Sequence, residues 1–213
     1  MHIRNLGRKN MDEVKSKLAE YREPEFAKTF QPVNKSSMDV LESLIGLEEG
    51  KAQGRKISAY ARMVKDMGQT GYRVPSMTLN MEFTGNPGTA KTTVARLVAG
   101  IFHEIGLLSS YEMVEVGRAD LVGKYTGSTA DKVKSVFQEA RGRLLFIDEA
   151  YSLVDDYKNS FGDEAINTIV QEMENNRGNT VVIFAGYPDQ MRDFFSRNPG
   201  FVCCKIKTQE VAE

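Results

Sequence analysis

Lys91 and Thr92 follow a turn that reads Gly85-Asn-Pro-Gly-Thr-Ala, and a cation with a hydroxyl behind such a turn has the chemistry to hold phosphate. Gly85 and Gly88 let the backbone bend so that several N–H groups converge on phosphate oxygens, and a helix starting behind the turn adds its positive end. Lys91 is placed to neutralise β- and γ-phosphate oxygens, and the Thr92 hydroxyl to ligate Mg²⁺. Gly85, Asn86, Pro87, Gly88, Thr89, Ala90, Lys91, Thr92 and Thr93 are therefore the candidate phosphate-binding residues of an ATP site. Ala90 stands where the usual pattern has its last glycine. Its single methyl is expected to allow a helical φ and to hinder phosphate approach only slightly.

A second group of chemical interest is Leu144-Leu-Phe-Ile-Asp148-Glu149. It sets two carboxylates at the C-terminal end of an apolar run, where open α/β sheets bind ligands. Asp148 is expected to hold Mg²⁺ through its water shell. Glu149 is expected to orient and polarise the water that attacks the γ-phosphate, which points to hydrolysis rather than transfer to another substrate. Read alone, the same pair could cap the next helix; the phosphate loop upstream is what favours the catalytic assignment.

These residues need a frame, and the chain supplies one from Ser76 onward. Strands are predicted over Met77–Thr84, Glu112–Val116, Leu144–Ile147 and Val181–Ala185, alternating with helices over Thr92–Ile105, Thr129–Arg141, Asp163–Asn175 and Pro188–Ser196. Parallel strands need such crossovers. The predicted fold is α/β, a three-layer sandwich with a parallel central sheet of the P-loop NTPase type. Residues 1–38 are expected to form a helical N-terminal extension, with Met11, Val14, Leu18 and Tyr21 making one narrow apolar stripe before Pro24 and Pro32. Met38, Leu41, Leu44 and Ile45 share a face of a following helix that Gly46 ends, and a charged helix runs from Glu48 to Met67. Residues 39–213 are expected to be the nucleotide-binding domain.

Composition sets the outer limits. The chain has 213 residues, 41% hydrophobic and 27% charged, which fits a globular protein and disfavours disordered or repetitive classes. With 28 Lys and Arg against 29 Asp and Glu, the net charge of −1 gives no global field for nucleic acid or anionic lipid. A DNA-associated ATPase therefore lacks support from charge, and its mark would be salt-sensitive DNA binding. The longest apolar runs fall far short of a membrane span, and the charged N-terminus lacks the pattern of a secretory signal, so a cytoplasmic location is expected. Cys203 and Cys204 are adjacent and read as free thiols rather than disulfide or zinc ligands.

Four stretches together resemble a known family: Phe83-Thr-Gly-Asn-Pro-Gly-Thr, Asp120-Leu-Val-Gly-Lys-Tyr-Thr-Gly, Leu145-Phe-Ile-Asp-Glu-Ala-Tyr, and Ala185-Gly-Tyr-Pro-Asp-Gln-Met with Asn198-Pro-Gly-Phe. They resemble the AAA+ ATPases related to red-type Rubisco activase and stage V sporulation protein K, over roughly residues 39–201. The resemblance implies an Mg²⁺-dependent ATPase that acts as a homo-oligomer, a hexamer in that family, and remodels a protein client by threading it. It also implies that Ile45, Gly46 and Leu47 pack on adenine. Tyr125, in Tyr125-Thr126-Gly127, falls where such motors carry an aromatic pore-loop residue that grips polypeptide. The family's first polar sensor has no clear equivalent; Tyr187 and Asp189 are the positions available.

The sequence departs from the family after Phe201. The expected Ser-Arg pair, whose arginine reaches a neighbouring subunit's γ-phosphate, is replaced by Val202-Cys203-Cys204-Lys205, and no helical lid follows before Glu213. Lys205 lacks the planar fork of arginine. Arg197 is the nearest upstream arginine, read chiefly as a surface charge. The alternative to a motor is a nucleotide-binding scaffold or truncated module with little turnover.

Overall fold

The computed structural model describes residues 36–44, 48–69, 80–125, 127–154, 161–198, 200–201 and 204–207. They belong to one compact unit, Ser36–Glu213. The helical extension expected over residues 1–38, as far as residue 35, and the candidate adenine contacts Ile45, Gly46 and Leu47 lie outside the described residues. Along the chain come α1 (Ser37–Ser43), α2 (Glu48–Gln69), β1 (Met81–Thr84), α3 (Lys91–Glu104), β2 (Met113–Val116), α4 (Arg118–Leu121) and α5 (Ser128–Glu139). They are followed by β3 (Leu144–Ile147), a 3-10 turn (Ala150–Leu153), α6 (Phe161–Asn175), β4 (Val181–Gly186), α7 (Pro188–Arg197) and β5 (Cys204–Lys207). Among these helices none is long and apolar enough to cross a membrane.

The five strands form one sheet in the order β2-β3-β4-β1-β5, and every pairing is parallel. Side chains on a strand alternate between its faces, and that alternation builds the layers. Leu144 and Phe146 of β3, with Val181, Ile183 and Ala185 of β4, join the core under α1 and α3 that includes Leu41, Val94, Val98 and Phe102. The intervening Leu145, Ile147, Val182 and Phe184 face the opposite core, with Val133, Phe137, Ala165 and Ile169. A sheet buried on both faces needs nearly continuous apolar strands, and β3 and β4 are buried at every position. The edge strand β2 alternates instead, Val114 and Val116 buried and Glu115 exposed.

Predicted and observed strands agree in place. The run Leu144–Ile147 matches to the residue, while the first strand begins at Met81, four residues inside its predicted span. The fifth strand was not foreseen: Cys204–Lys207 pairs along β1 in the register Met81↔Cys204 to Thr84↔Lys207. The stretch that diverges from the family thus carries backbone of the sheet edge. An aromatic cluster stands just before it. Phe201 lies 4.8 Å from Phe184 and 5.3 Å from Phe194 between ring centroids, which fixes α7 and the chain beyond it against β4.

Helix α1 is positioned from both ends of its first turn. Ser36 and Asp39 form a reciprocal capping box. The Ser37 backbone N–H and hydroxyl donate to Glu104 Oε1 of α3 at 2.7 and 2.6 Å. Gly100 permits that approach, because a Cβ there would stand 2.2 Å from Ser37 Oγ.

Candidate functional site

Strand β1 ends at Thr84 and helix α3 starts at Lys91, so the phosphate-loop candidates form the connection between them. Gly85 N–H donates to the Gly186 carbonyl at 3.2 Å, which ties the loop to the end of β4. Thr89 closes the turn on itself, donating to the Asn86 carbonyl through its N–H at 3.3 Å and its hydroxyl at 2.9 Å. Gly88 has φ +80° with nothing within 4 Å of where a Cβ would be. Its requirement is therefore the left-handed backbone and not space.

The cleft over this loop holds about 490 Å³ and is lined by Pro87 to Thr93, Asp148, Glu149, Gly186 and Tyr187. The loop and the two carboxylates, read separately from the sequence, thus share one concavity at the carboxyl ends of β1, β3 and β4. Lys91 Nζ donates to the Gly85 and Asn86 carbonyls at 2.9 and 3.0 Å. Burial holds its ammonium below the usual lysine pKa, against the pull of Asp148 and Glu149, which raise it.

Ala90 departs from expectation. It adopts φ 55°, ψ 25°, in the left-handed region, and serves as the N-cap of α3. A right-handed helical φ would be free for alanine, whereas this one costs about 1 kcal/mol. The other non-glycine residue with positive φ among those described is Glu149, at φ 47°. Strained backbone that clusters at one cleft marks a site whose geometry the surroundings enforce. A methyl cannot cap a helix, so the first-turn N–H groups of α3 have no side-chain cap.

Two aromatic residues complete the wall. Tyr187, immediately after β4, lies with its ring centroid 5.5 Å from Lys91 Nζ, and Tyr151 of the 3-10 turn packs on it at 5.7 Å. Burial, with the charge and hydrogen bond of Glu149 next in size, pushes the Tyr151 phenol up to about 12. Sequence reasoning gave Tyr151 no role and named Tyr187 only as a position available for the first sensor, without assigning it. The signal for Tyr187 was its place after an apolar strand, the same one that marked Asp148. Gly186 makes room for this pair: a Cβ there would fall 2.7 Å from Met191 Sδ and 2.8 Å from Tyr151 Cδ1. Gly186→Ala is therefore expected to lower stability by about 1–3 kcal/mol, read as a lower midpoint in urea unfolding. An unchanged midpoint would show that this contact is not close-packed.

Tyr125 lies apart from the cleft residues, on the loop between α4 and α5, and is 77% exposed. Its N–H donates to Ser128 Oγ at 3.2 Å, and its carbonyl accepts from that hydroxyl at 2.6 Å and from the Ser128 N–H at 3.1 Å. Gly127 caps α5 at φ 83°. The Tyr125 backbone is thus tied to Ser128 while its ring is exposed. Arg197 pairs with Asp193 of its own helix at 2.9 Å, and Asp189 pairs with Arg192 at 3.0 Å.

The arrangement can hold a polyphosphate with a hard cation. The donor set fits: an uncapped helix N-terminus, an ammonium, a hydroxyl and a carboxylate around one cleft suit anionic oxygens and an ion that takes few protein ligands. A parallel α/β sheet with such a loop after its β1 strand defines a P-loop nucleotide-binding protein.

Comparison with known proteins narrows the class. The profile of the ATPase family associated with various cellular activities (AAA) matches residues 81–197, and the chain belongs to that family. Its relatives there include the red-type activases and stage V sporulation protein K. It is 48% identical to Protein CbbX of Cereibacter sphaeroides over 74% of the chain and 52% of the relative. It is 43% identical to Stage V sporulation protein K of Bacillus subtilis, over 75% of the chain and 50% of the relative. It is 44% identical to the chloroplastic ribulose bisphosphate carboxylase/oxygenase activase of Cyanidioschyzon merolae, over 76% and 56%. The chain thus spans about half the length of these curated relatives. The crystal structure of the FIGL-1 AAA domain in complex with ADP aligns with TM-score 0.53 at 18% identity, covering 78% of this chain and 54% of that one, which is a likeness of fold.

Proposed function

We propose that the chain is the nucleotide-binding domain of an Mg²⁺-dependent ATPase that works as an oligomer and remodels a protein client. The observation that carries this reading is the single cleft in which the Gly85–Thr93 loop meets Asp148 and Glu149. Lys91 and the first-turn N–H groups of α3 would hold the phosphates. Thr92 and Asp148 would hold Mg²⁺, which supplies charge against the phosphate oxygens. Glu149 would position the attacking water and take its proton. Ile45, Gly46 and Leu47 remain the proposed adenine contacts on the ground of family resemblance. The exposed Tyr125 is the proposed client contact, since a ring on a fixed loop offers contact area with few rotamers to lose.

The test is ATP hydrolysis per subunit as protein concentration rises, with nucleotide binding measured in the same samples and Glu149→Gln as the blank. A specific rate that climbs with concentration is expected, because subunits then complete one another's sites. Tight binding at the blank rate would replace this reading with that of a nucleotide-holding module. Tyr125→Ala is expected to leave ATP binding intact and remove the part of turnover that an unstructured polypeptide stimulates. An unchanged stimulated rate would sink the role given to Tyr125.

A further inference from the structure

Between the Glu149 turn and the Tyr125 loop runs a continuous set of polar contacts in which Arg118 is the central link. Glu149 holds a left-handed backbone, and its carbonyl accepts from the Ser152 N–H at 2.7 Å. The Ser152 carbonyl in turn accepts from the guanidinium of Arg118, the first residue of α4. Lys132 of α5 then donates to the carbonyls of Ala119 and Val122, at 2.8 and 3.0 Å. Gly123 N–H donates to Thr129 Oγ1 at 3.1 Å, and two residues on, Tyr125 is closed on Ser128.

Space at this second junction is as tight as its hydrogen bonding. A Cβ on Gly123 would lie 2.8 Å from both the Ser128 carbonyl carbon and the Thr129 nitrogen. The loop therefore cannot shift against α5 without moving α4, and α4 is tied by Arg118 to the turn that follows Glu149. Coupling needs an element with two arrangements. The residue suited to that role is Glu149, held at positive φ by its surroundings and not by its own preference.

We propose that Arg118 is a positioning residue that couples the Glu149 turn to the Tyr125 loop, so that the loop follows the state of the nucleotide site. This rests on the reading of the cleft as an ATP site. With Asp148 holding Mg²⁺ and Glu149 holding the attacking water, the turn that begins at Ala150 would be fixed, and Arg118 would pass that constraint to α4. Arginine suits the task because its fork can hold a carbonyl while its other donors bond elsewhere.

The experiment is amide hydrogen exchange over residues 119–128 of the full chain, with and without Mg²⁺ and ATP, with ATP affinity measured alongside. In the wild type, exchange in this segment is expected to slow about tenfold on adding ATP. Arg118→Met, at the start of α4, and Lys132→Met, on α5 and bonded to the Ala119 and Val122 carbonyls, are both expected to bind ATP as the wild type does while the segment exchanges at one rate with or without it. Arg118→Lys, which keeps a donor for the Ser152 carbonyl, is expected to restore the response. A response in both methionine variants equal to that of the wild type overturns the proposal, as does a wild-type segment indifferent to bound ATP. A wild type that binds no ATP ends the nucleotide reading itself, and the coupling with it; the affinity measurement separates the two failures. Should Arg118→Met fail to fold, Lys132→Met decides.

Discussion

Lys91→Ala is expected to weaken ATP binding by about a hundredfold, the equivalent of one or two charge-assisted hydrogen bonds, with thermal unfolding little changed. Two of the ammonium's three donors go to the Gly85 and Asn86 carbonyls in the structure. That places the charge at the floor of the loop, next to the helix N-terminus and facing the carboxylates across the cleft. Nucleotide phosphates bring several negative oxygens to the same place, and among the described residues no other cation lines that cleft. Removing Lys91 leaves Asp148 and Glu149 as its charged lining, so repulsion adds to the lost attraction. The Asn86 carbonyl is exposed and can bond water instead, and the bond to the Gly85 carbonyl is only part-buried, which is why little stability is lost. Titration calorimetry at fixed salt checks the affinity, and retained binding would mean that the nucleotide sits elsewhere.

The cleft's two motifs were legible because each depends on short stretches of chain. The phosphate loop is a strand, a glycine turn and a helix start in succession, and the carboxylates end an apolar run that matched its strand to the residue. Where shape depends on distant segments, the sequence said less. Strand β5 is four residues with no apolar run, and its place is set by pairing with β1, more than a hundred residues earlier. Helix α4 and the 3-10 turn after Glu149 are four residues each, too short for any periodicity to show.

The left-handed backbone at Ala90 and Glu149 runs against the preference of both residues, so propensity pointed away from it. Tyr151 and Tyr187 lie far apart in sequence and meet because Gly186 lacks a side chain. Arg118 and Ser152 are joined by the same kind of non-local geometry. What sequence fixes locally is thus the chemistry of the site. What holds that chemistry in place comes from contacts across the sheet.

Glu149→Gln is expected to cut turnover by about a thousandfold, within the range for loss of a general base, while ATP affinity stays near that of the wild type. The amide is nearly isosteric, so the left-handed turn can persist, and Lys91 keeps its hydrogen bonds to the loop and the attraction of Asp148 while losing that of Glu149. The variant also lacks a group able to take a proton from water. The neighbouring position is expected to behave differently: Asp148 would serve the metal, so its loss should weaken Mg²⁺-dependent binding as well as turnover. Separate measurement of Kd and kcat therefore distinguishes the two carboxylates, which composition and spacing alone treat as a pair. A Glu149→Gln protein that turns over at the wild-type rate would show that the water is activated by another group. Tyr151, beside Glu149 and with its phenol pushed up to about 12, keeps its proton at neutral pH and can donate to the carboxylate but not replace it as base.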